Sequence, residues 1–281
     1  MEQKKHLLFL QISILAAAFI VLYFPFLQTL VHDWNVNDNF SHGYLIPPIA
    51  AFMVWHRKTQ LKDVKAQPNL WGLLLTLTGL LQLIVAKIGA EYFLQRTSVI
   101  LVLFGLTLFL LGTKWTKKLS VPMLYLLFMI PIPAILWNQI AFPLQLFASK
   151  SSTFFIQLLG IPIYREGNIL HLADTTLQVV DACSGLRSLT SLLALSAAFA
   201  YISTLRTLKK WMLFFSAVPI AIAVNILRLT STAVLAEWIG PEIAQGFLHE
   251  ISGLFIFIIA FIFLYFVYYS LSRVGSSVFN P

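Results

Sequence analysis

Charge is scarce in this chain. Of 281 residues only 11% are Asp, Glu, Lys or Arg, against about 25% in an ordinary globular domain. With 59% hydrophobic residues and a mean hydropathy of +0.83, too little polar surface is left to cover a soluble body of this size. Cysteine is scarcer still: Cys183 stands alone, so no intrachain disulfide forms and the redox compartment cannot be read from cysteine usage. The six histidines and eleven acids lack metal-ligand spacing, so no metal is expected. There is no Walker A sequence and no dinucleotide-binding glycine pattern, and no cofactor is expected. Internal repeats and low-complexity stretches are missing. So is any long Pro/Gly/Ser linker, which makes residues 1–281 a single expected membrane domain.

Apolar runs of near-membrane length are what the chain does have. They fall at about Leu7–Leu30, Tyr44–Trp55, Leu70–Ile88, Thr97–Leu111, Leu119–Leu136, Cys183–Ser203, Trp211–Leu235 and Ile251–Leu271, against the ~20 residues a spanning helix needs. The first is read as a span rather than a cleaved leader, because it is long enough to cross and has no small-x-small cleavage site at its end. The second spans only if Phe40–Gly43 extend it. Trp137–Gly160, with Gln145, Lys150 and Ser151 among apolar residues, is expected to lie in the interface as an amphipathic helix. The fold class predicted is all-α: a polytopic bundle of about eight transmembrane helices.

The formal net charge of +8 would suggest nucleic acid in a soluble protein. Here the cations cluster in short loops between apolar runs, so a nucleic-acid partner is not expected and membrane lipids are. Placing the N-terminus in the cytoplasm puts 13 of the 19 Lys and Arg on the cytoplasmic side, as the positive-inside rule requires. Both termini are then cytoplasmic, while His32–His42 and Trp137–Ala182 lie outside. Within the second of these, Ile161–Val180 is rich in β-branched residues, with turn signals at Glu166-Gly167-Asn168 and Ala173-Asp174. It reads as a small β-hairpin-like outer loop before the sixth span.

Ionisable side chains inside a bilayer cost on the order of 2.5–3.5 kcal/mol, so those near the apolar runs need a reason. Cys183 and Arg187 are four apart on one helix face. A helix N-terminus and a nearby guanidinium both favour thiolate over thiol, although a lone cysteine is ordinarily a packing residue. Arg228 stands about 26 Å along the seventh span at ~1.5 Å per residue, close to its outer end, where an arginine can also snorkel as an anchor. Asn225 is one turn away on the same face. His249 opens the eighth span. Topology alone thus sets Cys183, Arg228 and His249 at one depth on three consecutive spans. Such a trio suits nucleophilic acyl transfer: thiolate to attack a carbonyl, imidazole to manage protons, guanidinium to hold the oxyanion. Arg187, Asn225 and His42 are candidate supporting or substrate-binding residues. The alternative is a transporter or lipid-binding scaffold that holds an anionic substrate on Arg228, Asn225 and Arg187, with Cys183 as packing.

At these motifs the sequence resembles the exosortase/archaeosortase family of membrane transpeptidases. The matching stretches are YREGN at Tyr164–Asn168, ACSGLRSL at Ala182–Leu189, NILR at Asn225–Arg228, His249, and FSHGYLIPPIA at Phe40–Ala50. The resemblance implies Cys183, Arg228 and His249 as catalytic residues of a cysteine peptidase/transpeptidase in the cell (inner) membrane. It also implies substrates: exported proteins with a C-terminal sorting signal, a Pro-Glu-Pro-like motif followed by a transmembrane helix and a basic cluster. The enzyme would cut there at the outer membrane face and pass the acyl group to a lipid-linked or surface acceptor.

Overall fold

Long apolar runs become long helices, because inside a bilayer only a helix or a closed barrel satisfies its own backbone. The computed structural model describes residues 2–173, 175–179, 185–240 and 247–273, with the backbone alone described at 2–9, 11–12, 247–252 and 254. The chain divides into two compact units, Met1–Pro131 and Ile132–Pro281.

The first unit contains helices α1 (Glu2–Val36), α2 (Ile46–His56), α3 (Lys58–Lys62), α4 (Trp71–Ile88), α5 (Tyr92–Leu111) and α6 (Thr113–Tyr125). Two 3-10 segments, Asp38–Leu45 and Leu126–Met129, complete it. Helices α4 and α5 form a hairpin of close backbone approach. A Cβ on Gly72 would lie 2.1 Å from the Phe109 nitrogen, and one on Gly105 would lie 2.5 Å from the Thr76 nitrogen. Small residues serve this purpose between membrane helices, where dispersion rather than water exclusion draws helices together. Helix α1 joins the pair through Tyr23, buried with Leu83, Val99 and Val102. Its hydroxyl lies 3.2 Å from Ser98 Oγ. Near the end of α1, Asp33 meets the buried Arg96 of α5 at 2.7 Å. Removing one partner of such a pair strands the other charge in a poorly solvated place.

The second unit contains α7 (Ala134–Leu158), a three-stranded antiparallel sheet (β1 Tyr164–Glu166, β2 Ile169–His171, β3 Thr176–Gln178), and helices α8 (Leu186–Ile202), α9 (Thr207–Ile239) and α10 (Phe247–Arg273). The expected hairpin is present and gains a third strand, with Leu170 opposite both Arg165 and Leu177. Gly167 at φ 61° opens the two-residue turn between β1 and β2, the position where a II′ hairpin turn demands glycine. Leu170 and Val179 are fully buried against Ala148 of α7 and Leu229 of α9. Ile161 and Leu172 pack on Ile156 and Ala233 of the same two helices. Helices α8, α9 and α10 share one core of Leu192, Leu213, Ala217, Ala221, Val224, Ile256, Ala260 and Leu264.

Five described helices are long and apolar enough to cross a bilayer: Ser13–Val36, Trp71–Ile88, Tyr92–Leu111, Thr207–Ile239 and Phe255–Arg273. A sixth follows if Thr113–Met129 and Ala134–Leu158 are one broken span. The expected count of eight is not confirmed. The window at Tyr44–Trp55 yields an α-helix of only 11 residues, about 16 Å long against a ~30 Å hydrocarbon core. That at Cys183–Ser203 yields 17 residues in α8. The window at Leu119–Leu136 is interrupted where Pro131 and Pro133 withhold the N–H groups a helix needs, and α7 starts anew at Ala134.

Helix α7 occupies the stretch expected to form an amphipathic interfacial helix. Its buried face carries Gln145, Ser149 and Ser152 along with Trp137, Ala141, Ala148 and Ile156. Its exposed residues include Ile135, Phe142, Phe147, Phe154 and Leu158, together with Asn138, Gln139, Lys150 and Gln157. Both the buried and the exposed residues of α7 are therefore a mixture of polar and apolar side chains.

Candidate active site

The site is built on α9. Its buried stripe runs Leu213, Ala217, Ala221, Val224, Asn225, Arg228, Leu229, Ala233 and Ala236, steps of three and four that keep one helix face. The stripe is apolar except at Asn225 and Arg228, which are 3% and 8% exposed. An arginine serving as an interfacial anchor would extend its guanidinium to the headgroups. Arg228 is turned inward instead, on the stripe that meets α7, α8, α10 and the sheet.

Three elements converge on this part of α9. From α7, Ser152 Oγ donates to the Ile226 carbonyl at 3.4 Å, midway between Asn225 and Arg228. The sheet packs on Leu229, the next residue after Arg228. Its last strand is held by Asn168: the Val179 N–H donates to the Asn168 carbonyl at 2.9 Å, and Asn168 Nδ2 donates to the Val179 carbonyl at 3.0 Å. The start of α8 is the third element. Gly185 caps α8 in the left-handed region at φ 80°, and its backbone lies against the Asn225 side chain. A Cβ there would come within 2.9 Å of Asn225 Cγ. Arg187 follows in the first turn of α8, half-buried.

Gly185 therefore meets two demands at once: a backbone angle that costs other residues roughly 1–2 kcal/mol and a contact that leaves no room for a methyl. Gly185→Ala is expected to lower stability by about that amount and to displace Asn225. Thermal unfolding in detergent, with substrate processing measured alongside, checks this. An unchanged midpoint with unchanged processing would show that the α8–α9 junction tolerates a side chain.

Cys183 lies outside the described residues, two positions before Gly185. His249 falls in the first turn of α10, and its side chain lies outside the described residues. The short link between α8 and α9 makes these helices antiparallel neighbours, and α10 packs on both. Of the six residues singled out from the sequence, the structure brings Arg187, Asn225 and Arg228 to the same end of the α8–α9 pair. His42 belongs to the first unit, where its Nε2 lies 3.2 Å from the Phe128 carbonyl. A carbonyl only accepts, so Nε2–H is the donor in this contact. Beside it Trp34 Nε1 donates to the Met129 carbonyl at 2.9 Å, and the Trp34 indole lies so close to Gly43 that a Cβ would meet it at 2.3 Å. The FSHGYL stretch is thus a packed junction between α1 and the segment after α6.

Sequence reasoning missed the part played by Gly185 and by the inward polar face of α7. A glycine directly before an apolar helical run was the available signal for the first. The second had none, since a helix read alone does not say which face meets lipid.

The helices, with their apolar outer surfaces and an inward asparagine and arginine, define a multi-pass membrane protein with a buried polar centre in its second unit. The chain belongs to the transmembrane exosortase family, whose model matches residues 34–266. It is in general terms a membrane sorting enzyme acting on proteins that bear sorting signals. Comparison with curated proteins and with solved structures returned no match.

Proposed function

We propose that this protein is a cysteine transpeptidase that cleaves exported proteins at a C-terminal Pro-Glu-Pro-like sorting signal and transfers the new carboxyl end to a lipid-linked or surface acceptor. The observation that carries this reading is the seat of Gly185 against Asn225, one helical turn from the inward-facing Arg228. Cys183 stands two residues before Gly185 in the chain, which supports reading it as the nucleophile that works with this cation. In this reading the Cys183 thiolate attacks the scissile carbonyl carbon. Arg228, seconded by Arg187 and Asn225, donates hydrogen bonds to the oxyanion. His249 gives a proton to the departing amine as the C–N bond breaks and a thioester remains. An acceptor nucleophile then attacks the thioester, loses its proton to His249 and releases the thiolate.

The chemistry requires a particular side of the membrane: the outer face of the cell (inner) membrane, with both termini cytoplasmic. The Lys/Arg asymmetry supports that orientation. Alkaline phosphatase fused after Gly167 is expected to be active and the same enzyme fused after Lys210 inactive. The reverse pattern would put the site in the cytoplasm, where exported substrates are not delivered, and would sink this reading.

A further inference from the structure

A basic cavity of about 520 Å³ opens in the first unit between the loop after α3 and the beginning of α6. Four lysines line it, Lys65, Lys114, Lys117 and Lys118, against one carboxylate, Asp63. Among the described residues, none of these lysines forms an ion pair.

The walls are tied together rather than loosely apposed. The Gln67 N–H donates to the Leu111 carbonyl at 3.1 Å. Trp115 Nε1 donates to the Val64 carbonyl at 3.1 Å, and Asn69 Nδ2 to Thr113 Oγ1 at 3.3 Å. Lys118 Nζ donates to the Gln60 carbonyl. Gly112, at φ 84°, sits so near the Gln67 carbonyl that any side chain would collide with it. A concavity held this way does not have to be ordered when a ligand arrives.

Its depth is set by two spans. Helix α4 starts at Trp71 and α5 ends at Leu111; the two are consecutive and antiparallel, so those ends meet one face of the membrane. Lys65 and Gln67 precede the first by a few residues, and Lys114 and Lys117 follow the second by a few. Exposed Trp71 and Trp55, the latter with Lys58 Nζ 4.6 Å from its ring centroid, mark the interfacial level that tryptophan prefers. Cations grouped at headgroup depth, on the first turns of α6 where the helix dipole adds positive potential, suit a phosphate-bearing anion. We propose that this cavity binds the phosphodiester headgroup of an anionic phospholipid.

The test uses the purified full-length protein in neutral detergent, titrated with phosphatidylglycerol and, separately, phosphatidylcholine, with bound lipid counted by native mass spectrometry. Phosphatidylglycerol is expected to be retained at one per chain and phosphatidylcholine not. Replacing Lys65, Lys114 and Lys117 together by Gln is expected to weaken retention at least about ten-fold, whereas replacing them by Arg keeps it. Lys118 is left in place because it braces Gln60. Asp63→Asn is expected to tighten retention, a gain that misfolding cannot produce. Replacing Arg57, Lys58 and Lys62 by Gln makes the same charge change outside the cavity. An equal loss there, or no loss in the cavity variant, would overturn the proposal. Inorganic phosphate at millimolar concentration is expected not to displace the lipid; full displacement would reassign the cavity to free phosphate.

Discussion

Replacing Cys183 by Ala is expected to abolish maturation of sorting-signal precursors while leaving the protein inserted and abundant. The loss should be at least about 10³-fold in rate, the scale on which removal of a nucleophile is felt when catalytic groups act as a unit. Removing one thiol deletes little packing, so stability should change by about 1 kcal/mol or less. Cys183→Ser is the sharper comparison. It keeps the size, but a hydroxyl is a far weaker nucleophile without a base tuned to it. Pulse-labelled precursor should persist uncleaved in both variants, and His249→Ala should behave alike. If Cys183 were packing, both substitutions would process at the wild-type rate, and a transporter or scaffold for an anionic substrate would become the better account.

Arg228→Lys should lose most activity although the charge is kept. A guanidinium presents a planar fork of donors, whereas an ammonium is a compact point charge on a flexible stem. The loss of a fitted oxyanion donor is typically on the order of 10²–10³ in rate, about 2.7–4 kcal/mol. Burial strengthens the case, since Arg228 is only 8% exposed and a shorter, differently hydrated head cannot simply reach water to compensate. Turnover measured at equal protein level and equal thermal stability decides the point. Near-normal turnover would mean that Arg228 serves packing or anchoring alone.

Much of this was legible in the sequence for a simple reason: the bilayer imposes length and polarity so strictly that apolar windows and stranded polar residues stand out. The runs at Leu70–Ile88 and Trp211–Leu235 became α4 and α9 with ends shifted by a few residues. The turn at Gly167-Asn168 was readable because only glycine suits its first position. Asn225 and Arg228 were readable because a polar pair one turn apart in an apolar run is too costly in hydrocarbon to be left facing lipid. Hydropathy averaged over a window failed where a backbone event overrides it, as at Pro131 and Pro133. On α7 it does not say which polar residues turn inward, because Gln145 and Ser149 lower the average equally whether they face water or the helix bundle. Gly185 belonged to a recognisable motif, but its contact with Asn225 joins residues far apart in the chain and exists only in three dimensions.

The most direct measurement is to trap the acyl-enzyme. Full-length protein in lipid nanodiscs, given a sorting-signal substrate without acceptor and quenched in acid, should carry a hydroxylamine-sensitive acyl adduct on the peptide containing Cys183. The adduct should vanish in Cys183→Ala and fall when an acceptor amine is supplied. Cleavage of the substrate with no adduct on Cys183 at any time point would contradict the account at its centre.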